Sequence, residues 1–156
     1  MEEKIFMEDY KVGERFVSPA RTITETDITM FAAMTGDWHP LHTDAEFAKN
    51  YFFGERIAHG LLILSVGTSL IFRLGPNVAL PKSFIAFYGM DSVRFVGAVK
   101  IGDTIHCEAE VAELKEKDDK HGIIVAKNYI KNQRNEDTVI YTTRALVGRR
   151  PKEENI

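Results

Sequence analysis

Between Gly60 and about Phe72 the chain runs Gly-Leu-Leu-Ile-Leu-Ser-Val-Gly-Thr-Ser-Leu-Ile-Phe, a helix-length stretch that is apolar on nearly every side. A surface helix carries one apolar stripe, whereas one that is apolar all round is expected to be buried on most sides. The wider window from Ile57 to Leu74 also contains His59, Ser65, Thr68, Ser69 and Arg73. These residues disfavour a membrane span and favour a core helix. The fold is therefore expected to wrap around this segment.

The second half of the chain supplies the wrapping. Residues 83–96, 103–115, 122–132 and 138–147 are rich in Val, Ile, Thr, Phe and Tyr. Turn-forming runs separate them at 99–103, 117–120 and 132–137. Polar and apolar residues alternate from His106 to Glu113, the pattern of a strand with one solvated face. Short connections imply antiparallel pairing. The expected architecture is α+β, a curved antiparallel sheet wrapped around a long central helix, which resembles the hotdog fold. Upstream, Phe16 to Thr24 is predicted as a strand. Thr24 or Thr26 is placed to cap a helix carrying Ile28, Phe31, Ala32 and Met34, with Asp27 in its first turn and Gly36 as its stop. Residues 44–49 read as one or two further helical turns.

The chain of 156 residues suits one domain over 1–150, followed by a polar tail over 151–156. A formal net charge of −3 gives no basic excess for nucleic acid, so no nucleic-acid partner is expected. The single cysteine, Cys107, excludes an internal disulfide framework and suits a reducing compartment. The opening Met1-Glu2-Glu3-Lys4 lacks the basic-then-apolar order of a secretory leader. These features lead to the expectation of a soluble, cytoplasmic protein without a membrane partner.

Acid–base chemistry is concentrated in Gly36-Asp37-Trp38-His39-Pro40-Leu41-His42. Gly36 ends the preceding helix, and Pro40 disfavours α conformation at His39. In a kinked loop of this kind a carboxylate and an imidazole can turn toward one water, and imidazole exchanges protons near neutrality. Gly60, at the start of the apolar helix, offers a backbone N–H where the helix dipole favours negative charge. Residue types alone leave a plainer account open. Asp37 can cap a turn, His42 can be a hydrogen-bonded core histidine, and Gly60 can serve close helix–sheet packing. Ser65 and Ser69 lack the Gly-x-Ser-x-Gly elbow of a serine hydrolase, and no P-loop is present.

The order Gly36-Asp37-x-His39-Pro40-Leu41-His42, then Asp44, Phe47 and Ala48, then His59-Gly60, resembles the MaoC-like dehydratases and R-specific enoyl-CoA hydratases. Their signature has the form G-D-x-N-P-[LIV]-H with a downstream H-G, and the likeness is strong over Phe31 to Leu64. It implies a hydro-lyase that hydrates trans-2-enoyl-CoA to 3-hydroxyacyl-CoA, or runs the reverse dehydration. Asp37 and His42 would be its catalytic pair, and the Gly60 amide would polarise the thioester carbonyl. Substrate contacts are expected from Trp38, His39, Tyr51, His59 and Thr68, with Phe52 and Phe53 as further candidate walls. Arg56, Lys82 and Arg94 are candidates for the carrier's phosphates. No cofactor is expected, because coenzyme A arrives as part of the substrate. His39 stands where the family usually has Asn, and it creates an Asp37, His39 and His42 trio. No fourth ligand is evident there, and His59, which could contribute in principle, is read as making a structural hydrogen bond at the helix entrance, so no metal is expected. The competing functions are a hotdog acyl-CoA thioesterase and a non-catalytic acyl-CoA-binding subunit. Resemblance also implies a homodimer or a higher homo-oligomer.

Overall fold

The computed structural model describes residues 3–152. The polar tail expected over 151–156 therefore lies outside the described residues beyond Lys152. A 3-10 turn (Met7–Asp9) is followed by β1 (Arg15–Val17), β2 (Arg21–Thr22), α1 (Glu25–Thr35), α2 (Pro40–Thr43), α3 (Ala45–Lys49) and α4 (Gly60–Leu70). A second 3-10 turn (Ile71–Leu74) leads to β3 (Phe84–Phe95), β4 (Thr104–Glu116), β5 (His121–Lys131) and β6 (Asp137–Gly148).

The strands form one antiparallel sheet in the order β1-β4-β5-β6-β3, with β2 also on β4. The long strands fall within a residue or two of the expected ranges. The alternation read from the sequence holds along β4, where Ile105, Cys107, Ala109 and Val111 are buried and the residues between them are not. Bulges interrupt β3–β6 and β4–β5 pairing, and such bulges bend a strand and increase its twist. The strand predicted over Phe16 to Thr24 is instead two short strands. Pro19 has no N–H for a ladder, and Ser18 meets β4 through its own N–H and hydroxyl, both bonded to the backbone of Cys107 at 2.8 Å.

Helix α4 lies against the inner face of β4, β5 and β6, where Leu62, Ile63 and Leu70 join Ile105, Cys107, Ile130, Val139 and Tyr141 in the core. Gly67 makes this approach possible. A Cβ there would stand 2.4 Å from the Ile130 side chain. Burial is less complete than expected, because Leu61, Ser65 and Ser69 form an exposed stripe at every fourth position. The two serines satisfy themselves by donating to the carbonyls four residues back, each at 2.8 Å. A second core cluster gathers Met7, Tyr10 and Phe16 with Ile71, Val111, Ile124 and Val147 at the far end of the helix.

Candidate active site

The loop between α1 and α2 is built by local capping. Thr24 caps α1 in a reciprocal box with Asp27, and Gly36 closes the helix at φ 80°, its N–H donating to Ala32 at 2.8 Å. Only glycine takes that left-handed geometry without steric cost. His39 then starts α2: its Nδ1 accepts the Leu41 N–H at 3.1 Å, and Pro40 occupies the first helical position. Asp37 accepts the His39 N–H at 3.3 Å. The Thr43 hydroxyl lies 3.0 and 3.1 Å from the carbonyls of Trp38 and His39. The single turn of α2 is thus fastened at both ends, and it carries His42.

His42 Nδ1 lies 2.7 Å from the carbonyl oxygen of Ile57. A carbonyl only accepts, so the imidazole donates from Nδ1 and leaves Nε2 with a bare lone pair. By the same reasoning His59, 2.9 Å from the Asp37 carbonyl through Nε2, donates from that nitrogen. The two rings stack with centroids 3.9 Å apart. Burial pushes the His42 pKa below its ordinary value of 6.5. His59 and His39 act in the same direction, while the Ile57 carbonyl and Asp37 oppose it. His42 is therefore neutral at pH 7.

His42 forms one wall of an open cleft of about 440 Å³, together with Phe53, Ile57, Ala58, Gly60 and the run Phe95 to Val99. This size suits a small-molecule site. Gly60 is the first residue of α4, so its N–H has no intrahelical acceptor. It has no side chain because Phe95 occupies the space, the ring lying 2.8 Å from where a Cβ would be. The cleft is thus apolar apart from an imidazole and a helix N-terminus, with the Asp37 carboxylate beside the imidazole pair.

A family model described as MaoC like domain matches residues 9–133. The chain belongs to the MaoC-like domain family. This MaoC-like domain is 35% identical over 109 residues to the (R)-specific enoyl-CoA hydratase of Rhodospirillum rubrum, covering 70% of this chain and 71% of that protein. It is 38% identical over 100 residues to Protein MaoC of Klebsiella aerogenes, which covers 64% of this chain and spans only 28% of that longer relative. Among solved structures, the monoamine oxidase regulatory protein from Archaeoglobus fulgius superposes with a TM-score of 0.89 at 41% identity, covering 96% of this chain and 98% of that one. The fold is the hotdog fold. A Mycobacterium tuberculosis protein described as a double hotdog shares it with a TM-score of 0.74 at 16% identity, covering 98% of this chain and 47% of that one.

In this MaoC-like domain Asp37, His42 and His59 come together, each presenting a donor atom within 4.8 Å of the others, and Gly60 lines the same cleft. The other residues expected at the substrate do not line the cleft, although the His39 ring lies 6.2 Å from that of His42. His39 caps α2 and sits edge-on to Phe47. Trp38 is exposed, and Tyr51 is exposed and stacked on Phe47. Neither is among the cleft-lining residues. Thr68 lies two turns along α4, its hydroxyl held 2.7 Å from that of Tyr141. It borders a separate cavity of about 50 Å³ between α4 and the sheet. Of the two candidate phenylalanines, Phe53 lines the cleft, whereas Phe52 is 89% exposed. Arg56 is paired with Glu25. The missed walls are Phe95 to Val99, whose only sequence signal is an apolar run interrupted by Gly97 before a turn.

The potential metal trio is Asp37, His42 and His59, the last being the contributor weighed beside the expected three, and it leaves out His39. One nitrogen of each imidazole is committed to a carbonyl, so with Asp37 the trio offers three ligand atoms, whereas a closed structural zinc site takes four.

Proposed function

We propose that this MaoC-like domain is a hydro-lyase that reversibly adds water to trans-2-enoyl-CoA thioesters, giving (R)-3-hydroxyacyl-CoA. The observation that carries this reading is the joint placement of His42 and Gly60 on one apolar cleft, with Asp37 beside the imidazole. The names of relatives such as the Rhodospirillum rubrum enoyl-CoA hydratase support the same chemistry.

In this reading neutral His42 takes a proton through its bare Nε2 as the water oxygen bonds to Cβ. The Asp37 carboxylate orients that water, and the pair delivers the proton to Cα. Charge developing on the thioester oxygen meets the Gly60 N–H at the positive end of α4. A backbone donor of this kind contributes about 3–4 kcal/mol of transition-state stabilisation. Coenzyme A enters attached to the acyl group, and the proposed scheme uses no separate cofactor.

The proposal includes a homodimer. β3 ends the sheet, and its Phe84, Ile85, Phe87, Tyr88 and Met90 are each 37–51% exposed. A long apolar edge strand invites pairing, and a second copy of the same edge satisfies it. No helix among the described residues is long and apolar enough to cross a membrane. A cytoplasmic setting is proposed from the lone Cys107, whose thiol pKa burial pushes up to about 11.

The test is loss of enoyl absorbance with crotonyl-CoA, followed by chiral analysis of the product. Wild type is expected to hydrate it without releasing thiol, and Asp37→Asn and His42→Ala to lose about 10²–10⁴-fold in kcat. Release of free coenzyme A instead would identify a thioesterase. Undiminished activity in both variants would overturn the site assignment.

A further inference from the structure

His59 carries chemistry that the proposed reaction does not use. It is the N-cap of α4, yet its side chain makes no capping hydrogen bond. Its residue is 2% exposed. Nε2 donates to the Asp37 carbonyl, 22 residues away, and one ring face lies against His42. The ring also contacts Phe31 of α1. Nδ1 is buried without a partner among the described residues. An unpaired buried lone pair is a cost that a capping Ser or Asn at this position would not carry.

We propose that His59 is a positioning residue: its Nε2–H fixes the backbone of Asp37 while its ring supports His42, so that one side chain sets the relative placement of both members of the pair. The inference rests on the proposed hydratase reading for its kinetic part. The chemistry of the side chain explains why an imidazole stands here. An aromatic ring face and an in-plane N–H at this reach occur together in no other neutral side chain of similar size. Glutamine supplies the N–H without the face, and phenylalanine supplies the face without the N–H. Asp37 itself is largely exposed and, among the described residues, is held only by its own loop and by this bond. Without His59 the carboxylate and the imidazole would move independently, and small misplacements of catalytic groups are costly in rate.

Three variants separate the contacts. With crotonyl-CoA, His59→Ala loses both and is expected to lower kcat by about 10²-fold with KM changed less than about threefold. His59→Gln, which keeps the link to Asp37, and His59→Phe, which keeps the support of His42, each recover part of that loss. A second readout does not depend on activity. Trp38 is the only tryptophan and adjoins Asp37, so its fluorescence anisotropy reports the loop. It is expected to fall in His59→Phe and to hold in His59→Gln.

Recovery by Gln and Phe over Ala, with the anisotropy contrast, supports positioning. Should His59→Ala fail to fold, the Gln and Phe variants carry the test alone. If all folded variants retain wild-type kcat, or if they lose it equally and in step with melting temperature, His59 is only a packing residue and the inference fails. If wild type hydrates no enoyl-CoA but the anisotropy contrast is present, the reaction reading falls and the positioning role stands.

Discussion

His42 Nδ1 and the Ile57 carbonyl oxygen are 2.7 Å apart, a contact between residues 15 positions apart in sequence that determines which imidazole nitrogen is free to act as a base. Because the carbonyl claims the Nδ1 proton, Nε2 is the nitrogen open to a substrate or water.

The same contact and the burial around it set a pH dependence. The folded pKa of His42 lies below 6.5, so the base stays unprotonated at neutral pH. As pH falls through that folded pKa, kcat/KM is expected to drop with unit slope, its midpoint below 6.5. Stability moves in the same direction. Between the folded pKa and 6.5 the unfolded chain takes up a proton that the folded one does not, so folding weakens across that window as pH is lowered. A pH–rate profile and melting temperatures over the same range check both. An acid limb centred above 6.5 would count against the assignment.

Gly60 and Phe95 form a steric pair. In Gly60→Ala the new methyl meets the Phe95 ring at 2.8–2.9 Å. Phe95 is half exposed and can swing away, so the stability loss is expected to stay near about 1 kcal/mol. The displaced ring changes the cleft, and KM for crotonyl-CoA is expected to rise. The double variant Gly60→Ala/Phe95→Ala should recover the melting temperature relative to Gly60→Ala. Thermal melts and Michaelis kinetics on the four proteins of this cycle decide it.

His39 does the work of an N-cap. His39→Asn keeps a capping side chain and is expected to match wild type within about 0.5 kcal/mol, whereas His39→Ala should cost about 1 kcal/mol by loss of the cap. Denaturant unfolding measures both. If Asn abolishes activity while preserving stability, the imidazole has a role in the reaction that the cap does not explain.

The β3 edge is expected to hold two copies together. Sedimentation equilibrium should give about twice the monomer mass for wild type. Ile85→Lys, which places a charge on the edge, should shift the protein toward monomer. A wild-type monomer at tens of micromolar would remove the dimer from the proposal.

The parts of this molecule legible in its sequence are those written by near neighbours. Period-two burial from Ile105 to Val111, the Thr24 cap, the Gly36 stop and the turn at Pro40 each depend on backbone geometry over a few residues. Composition and spacing therefore carried them. The family signature brought Asp37, His42 and Gly60 forward together, although α2 and α3 separate Asp37 from Gly60; it is the resemblance, not local geometry, that linked them. Trp38, Tyr51 and Thr68 fall outside the residues lining the cleft, because an aromatic or hydroxyl beside a motif says nothing about which way its side chain points.

What the sequence determined by itself was the set of elements and the loop holding an acid and an imidazole. Tertiary structure decided which of these groups meet. His59 reaches Asp37 across 22 residues, Thr68 is drawn to Tyr141 across 73, Phe95 closes over Gly60, and β3 lies beside β6 rather than β4. Local periodicity fixes which face a residue occupies. Only the packing of one face against another, as α4 settles into the sheet, fixes what it touches there.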